Sequence, residues 1–338
     1  MQLSLQPLRY RASILLPALI LLAIVILLFS VMVGSVALPL SELPSALGEV
    51  LQGAPSTMTA NLLDLRLSRA MVAFSTGAAL GLAGVMMQAL LRNPLADPYV
   101  LGISGGAAVG ALFAMLLMLA SWLIDAAAFG GAVGVSLLLY FLARRDLGGA
   151  SGGGTSLLLL TGVIVSSACM ALVTLMLSMA PDGRLRSMMF WMMGDLSGAQ
   201  LRYLPWLVLI AALIFALRVA RSINVLALYA ETASTLGVHV GALRKSLFFC
   251  SGLLTASAVT SAGSIGFVGL IVPHACRFAL GPDHRLLFPA ATMVGGSFLV
   301  LADTLARTIL APQQLPVGVV TSIIGVPIFL FQLHQIRR

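Results

Sequence analysis

Apolar runs of about 20 residues follow one another along most of this chain, separated by short clusters of proline, glycine and charge. A helix of that length covers the ~30 Å of a bilayer's hydrocarbon. The pattern predicts ten crossings, near residues 14–36, 69–91, 99–120, 127–142, 156–179, 201–220, 244–262, 265–280, 286–304 and 315–333. The expected fold class is an all-α membrane protein, one polytopic domain over residues 1–338. Segment 37–68, with Pro39, Pro44, Gly48, Gly53 and Pro55, reads as a partly irregular connection at the outer surface. Segment 221–243 lies in the most polar internal stretch and reads as an inner loop.

Composition sharpens this picture. Of 338 residues 60% are hydrophobic and only 9% charged, against about 25% charged in a soluble domain. The first apolar run exceeds the 7–15 residues of a signal-peptide core, so it reads as a retained helix. Cys169, Cys250 and Cys276 stand far apart in apolar surroundings, which indicates neither a disulfide framework nor a zinc cluster. The net charge of +8 is spread singly or in pairs between apolar runs, so no nucleic-acid partner is expected. With the N-terminus in the cytoplasm, 13 basic residues fall inside and 6 outside, as the positive-inside rule favours. Both termini are then cytoplasmic, with membrane lipid around the helices.

Chemistry-bearing motifs are few. Gly102-Ile103-Ser104-Gly105-Gly106 fits the G-x-S-x-G nucleophile pattern, but an Asn-Pro/Asp-Pro turn precedes it where a strand should be. Close helix packing explains its small residues, and an intramembrane serine protease stays as a remote alternative. Gly77, Gly81 and Gly84 form a second small-residue face. The single lysine, Lys245, precedes a serine, yet Arg244 occupies the place of the second P-loop glycine. A pump would therefore need a separate nucleotidase. Acids are absent from predicted midplanes, with Asp195 and Asp303 near outer ends, which disfavours the other alternative, an ion-coupled secondary transporter. No metal-ligand spacing occurs among the histidines.

Sliding the chain by 175 positions pairs Arg69 with Arg244, Gly77 with Gly252, Pro98 with Pro273 and Gly106 with Gly281, among others. Such a match suggests an inverted repeat relating crossings 2–5 to crossings 7–10.

The stretches "RLSRAMVAFSTGAALGLAGVMMQALLRNPLADPYVLGISGGAAVGA", "LRSMMFWMMGDLSGA", "GSIGFVGLIVPHACRFALGPDHR" and "LPVGVVTSIIGVPIFLFQL" resemble the permease subunits of bacterial ABC importers for iron-siderophores, haem and vitamin B12. The resemblance implies a vitamin B12 permease-like fold in the bacterial inner membrane, a homodimer, two cytoplasmic ATPase subunits and a periplasmic binding protein. It implies no catalysis and no cofactor in this chain, ATP and magnesium being used by the partner ATPase. Arg66 and Arg69, placed just before the second crossing, and Arg307, after the ninth, match outer arginines that receive the binding protein. Leu228, Tyr229, Glu231, Thr232, Leu236 and Gly237 fall in what looks like the loop coupled to the ATPase. Thr155 and Ser156 match an inner gate, and "FWMMGDLSG" is slightly more similar to vitamin B12 permeases than to haem permeases.

Overall fold

The computed structural model describes residues 8–148, 154–198, 201–228 and 230–336. Thirteen α-helices occur among them: α1 (Leu8–Met32), α2 (Leu43–Leu51), α3 (Met58–Leu91), α4 (Ile103–Leu116), α5 (Ser121–Gly148), α6 (Gly154–Ser178), α7 (Asp182–Met192), α8 (Tyr203–Leu228), α9 (Ala230–Thr235), α10 (Val240–Ala262), α11 (Val268–Leu280), α12 (His284–Thr308) and α13 (Val317–Ile336). Each of the ten expected crossings has its helix. Six of them, in α1, α3, α5, α6, α8 and α12, are long and apolar enough to span a bilayer, and α4, α11 and α13 are shorter apolar helices.

Helix α3 is the axis of the bundle. Its Ala, Gly, Leu and Met side chains are buried almost throughout, and α12, α10, α11 and α8 all pack on it. It begins eleven residues before the expected crossing because Thr57 supplies an N-cap, its Oγ1 accepting from the Ala60 N–H at 3.2 Å. Arg66 and Arg69 consequently lie inside α3, not in a loop before it, and Arg307 lies in the last turn of α12. Segment 37–57, the rest of the expected outer connection, folds back as α2. Glu49 closes it by accepting from the Thr57 and Ser56 N–H groups at 3.0 and 2.8 Å. Those donors hold the Glu49 carboxyl below the ordinary range.

The expected third crossing is broken. Pro98–Leu101 form a 3-10 turn, Gly102 takes φ 76°, and only then does α4 begin. The eighth crossing starts alike, after Phe267 at φ 71°. Packing supports the repeat: α3 lies on α12 as α10 lies on α5, and α4 on α5 as α11 on α12. A Cβ at Gly77 would meet Gly295 of α12, and one at Gly252 would meet Ser136 of α5. The single offset of 175 nevertheless fails beyond α3 and α10. Gly102 and Phe267 lie 165 positions apart, and Pro98 sits in a turn whereas Pro273 sits inside α11, so the Pro98–Pro273 and Gly106–Gly281 matches are accidental.

Candidate functional site

Three small glycines bring α3 into backbone contact with its neighbours. A methyl group added at Gly77, Gly81 or Gly84 would overlap the carbonyls of Gly295, Ala291 and Gly269 respectively. Such close approach is how helices gain dispersion energy where lipid removes the hydrophobic drive. The seam fixes α11 and α12 to α3.

At the end of the bundle expected to face outward, the carbonyls that finish α1 have no helical partner. Arg66 fills this need, its Nη1 donating to Val31 and Met32 O at 3.2 Å and its Nη2 to Val36 O. Arg307 Nη2 donates to Ser30 O at 2.6 Å and Ser30 Oγ at 2.9 Å. Two cations at a helix C-terminus also suit its dipole. Asp303 is the counter-ion, bonded to Arg69 at 2.8 Å and lying 3.3 Å from Arg307 Nε. Arg69 completes its set on Gln314 Oε1 at 2.7 Å. The three arginines thus form one cluster and turn inward, with Arg66 and Arg307 buried.

At the opposite end, α9 is closed by Gly237 at φ 80°, where the Gly237 N–H reaches Ser234 O at 3.0 Å and the Val238 N–H reaches Ala233 O at 2.9 Å. Leu236 is exposed beside this turn. Glu231 and Thr232 lie on α9, and Leu228 ends α8, their side chains outside the described part; Tyr229 lies wholly outside the described residues. Helices α8 and α10 take up 221–228 and 240–243 of the expected loop. Within that span, Asn224 of α8 is clasped to the start of α12. Its Nδ2 donates to Asp283 Oδ1 at 2.8 Å, and its Oδ1 accepts from the His284 N–H at 3.0 Å. His284 Nδ1 lies 2.7 Å from the same oxygen, so that nitrogen carries the proton. Asp283 Oδ1 also accepts from the Arg285 N–H at 2.9 Å, capping α12.

Two cavities flank α7. One, of about 320 Å3, lies where the broken starts of α4 and α11 meet, lined by Ser104, Gly105, Ser166, Met170, Met192 and Ser264 among others. The two starts touch where the Ile265 N–H donates to Tyr99 Oη at 3.2 Å. Ser104 has no histidine or carboxylate in this lining, so nothing here activates it as a nucleophile. The other cavity, of about 690 Å3, lies among the first residues of α5, the last of α10, α7, and the lead into α8. Thr155 and Ser156 stand in the first turn of α6, with side chains outside the described part.

The sequence reasoning missed the Asn224–Asp283–His284 clasp, the partners of Asp303, and helices α2 and α7. Only the clasp left a signal: an aspartate immediately before "HRLL" is an N-cap pattern.

A helical chain with several apolar spans packed around a close-packed axis has the architecture of a membrane permease. It belongs to the FecCD transport family, whose pattern matches residues 21–335. Relatives include the cobalamin import system permease protein BtuC of Halobacterium salinarum, 38% identical over 312 residues that cover 90% of this chain and 82% of that protein. The vitamin B12 import system permease protein BtuC of Klebsiella pneumoniae is 38% identical over 322 residues, covering 94% and 92%. Among solved structures, an inward-facing conformation of a metal-chelate type ABC transporter superposes with a TM-score of 0.84 at 28% identity, over 96% of this chain and 99% of that one. PsaBC from Streptococcus pneumoniae, solved with a Fab, shares the fold at a TM-score of 0.59 and 17% identity, over 85% and 95%.

Proposed function

We propose that this permease carries a corrinoid inward across the cytoplasmic membrane by alternating access, as a homodimer served by two cytoplasmic ATPases and an external binding protein. Near-full-length identity of 38% to two cobalamin permeases carries the substrate reading over a siderophore or haem. The direction of transport has to come from the nucleotide cycle, because binding alone moves a two-state equilibrium only by its differential affinity.

In this reading the 320 Å3 cavity is one protomer's share of the path, with Thr155 and Ser156 as its inner gate. The binding protein docks over the outer ends of α3 and α12. Arg66, Arg69 and Arg307 then act as a positive field beneath that surface, which steers an acidic partner without direct contact. The ATPase grips α9 and its flanks: Leu228, Tyr229, Glu231, Thr232, Leu236 and Gly237. Its motion reaches α12, and through the glycine seam α3, by way of the Asn224 clasp.

Uptake into proteoliposomes holding the permease, its ATPase and a binding protein tests the reading, with cobalamin, haem and a ferric siderophore compared with and without ATP. ATP-dependent cobalamin uptake is expected. Uptake that needs no nucleotide would bring the ion-coupled carrier forward, and ATP-dependent uptake of haem or the siderophore alone would replace the cargo.

Asn224→Ala removes hydrogen bonds worth about 0.5–1.5 kcal/mol each. Its expected effect is uncoupling: ATP hydrolysis by the assembled complex continues while uptake per ATP falls about tenfold. Parallel loss of both activities would instead mean that the clasp only holds the fold.

A further inference from the structure

Helices α5 and α8 flank α10, and at their outer ends Arg202, just before α8, pairs with Asp125 of α5 at 2.5 Å. Between them α10 presents an exposed stripe of Ser246, Phe249 and Leu253, with Phe249 against Tyr140 of α5 at 4.9 Å. We call this face of α10, between α5 and α8, the groove; at its outer end the same three elements line the 690 Å3 cavity, through Asp125 of α5, Thr260 to Gly263 at the end of α10, and Arg202 and Pro205 at the start of α8.

The cavity's lining differs sharply from the groove. It holds two arginines, Arg186 and Arg202, two aspartates, Asp125 and Asp195, and a row of hydroxyls. Arg186 lies over the Phe190 ring, 5.6 Å from its centroid, and has no carboxylate partner among the described residues. Asp195 accepts from the Ser197 N–H and Oγ–H at 2.7 and 2.6 Å, which leaves each oxygen further capacity. Thr260 Oγ1 is buried with no hydrogen-bond partner. Of the three tryptophans Trp191 lines the site, while Trp122, next to the lining residue Ser121, is exposed. Tryptophan collects at the level of lipid headgroups.

We propose that groove and cavity together hold one outer-leaflet phospholipid with a zwitterionic phosphate–ammonium headgroup. Its phosphate sits on the Arg186 guanidinium with the neighbouring hydroxyls, and its ammonium on the Asp195 carboxylate. Its acyl chains lie along α10 between α5 and α8. The two cations and two anions of the lining balance, which selects a zwitterion over an anionic lipid. The volume lies within the ~300–1,000 Å3 of small-molecule sites. This inference does not depend on the identity of the cargo.

The test uses the full-length protein in nanodiscs of equal phosphatidylethanolamine and phosphatidylglycerol, with retained lipid counted by native mass spectrometry. One phosphatidylethanolamine per chain is expected to survive delipidation. Arg186→Gln should lower its occupancy about tenfold, and Asp195→Asn should shift retention toward phosphatidylglycerol. Equal retention of both lipids, or retention untouched by either substitution, overturns the proposal. Soluble phosphoethanolamine supplies the same headgroup without chains. Its binding to delipidated protein as tightly as the whole lipid would show that the chains contribute nothing, and that outcome also overturns the lipid assignment.

Discussion

Replacing Asp303 with alanine is expected to lower the unfolding free energy by about 3–5 kcal/mol, the range found when one member of a buried ion cluster is removed. Asp303 lies almost wholly inside the protein, and Arg69 and Arg307 share it. Truncation leaves two guanidiniums in a poorly solvated place without a counter-charge, and α1 loses part of what holds its C-terminal end. Asp303→Asn keeps the shape and some hydrogen bonding but not the charge, so its loss should be smaller. Replacing Arg69, Asp303 and Arg307 together with apolar residues of similar volume should recover much of the stability, because no orphan charge remains. Denaturant unfolding in detergent micelles measures all three. An unchanged midpoint for the alanine variant would remove Asp303 from the centre of this account.

Gly84→Val is expected to be at least as damaging. The added Cβ would fall on the Gly269 carbonyl, which is backbone and cannot rotate aside. Overpacking of this kind costs about 1–3 kcal/mol where side chains can give way, and more where they cannot. The expected result is a protein that fails to accumulate in the membrane or loses about 3 kcal/mol or more. Gly134→Ala on α5 is the control, since nothing lies within 4 Å of the position its Cβ would take. It should be neutral or slightly stabilising, given the better helix propensity of alanine. Matched membrane levels and stabilities for the two variants would mean that the α3 seam is looser than its geometry implies.

The helices behind the ten expected crossings were legible because lipid demands long apolar helices, and length is a one-dimensional property. The glycine face of α3 was legible for a related reason: three- and four-residue spacing places small residues on one side. What escaped was set by partners distant in the chain. Arg66 and Arg69 read as surface cations because Asp303 and the end of α1 come near only after folding. The start of α3 escaped because "MTANLLDLRLSR" is too polar to look like a crossing, although Thr57 and a strong helical composition carry it. The breaks before α4 and α11 depend on left-handed residues, one of them Phe267, a residue type that gives no warning of such a conformation. For the same reason the repeat drifted out of register between its first and second helices.

The Arg69–Asp303 pair joins residues 234 positions apart. A ribosome working at about 5–20 residues per second needs roughly 12–47 s to supply the aspartate after the arginine. Throughout that interval the first turns of α3 carry a cation whose counter-ion does not yet exist, and burying it unpaired is costly. The hydrophobic length of α3 can be threaded early, but its first turns settle only when the end of α12 has been made. Assembly of this end of the bundle is therefore completed late, and synthesis stopped before residue 303 would leave an intermediate in which α1 is held by Arg66 alone, without Arg307 on Ser30.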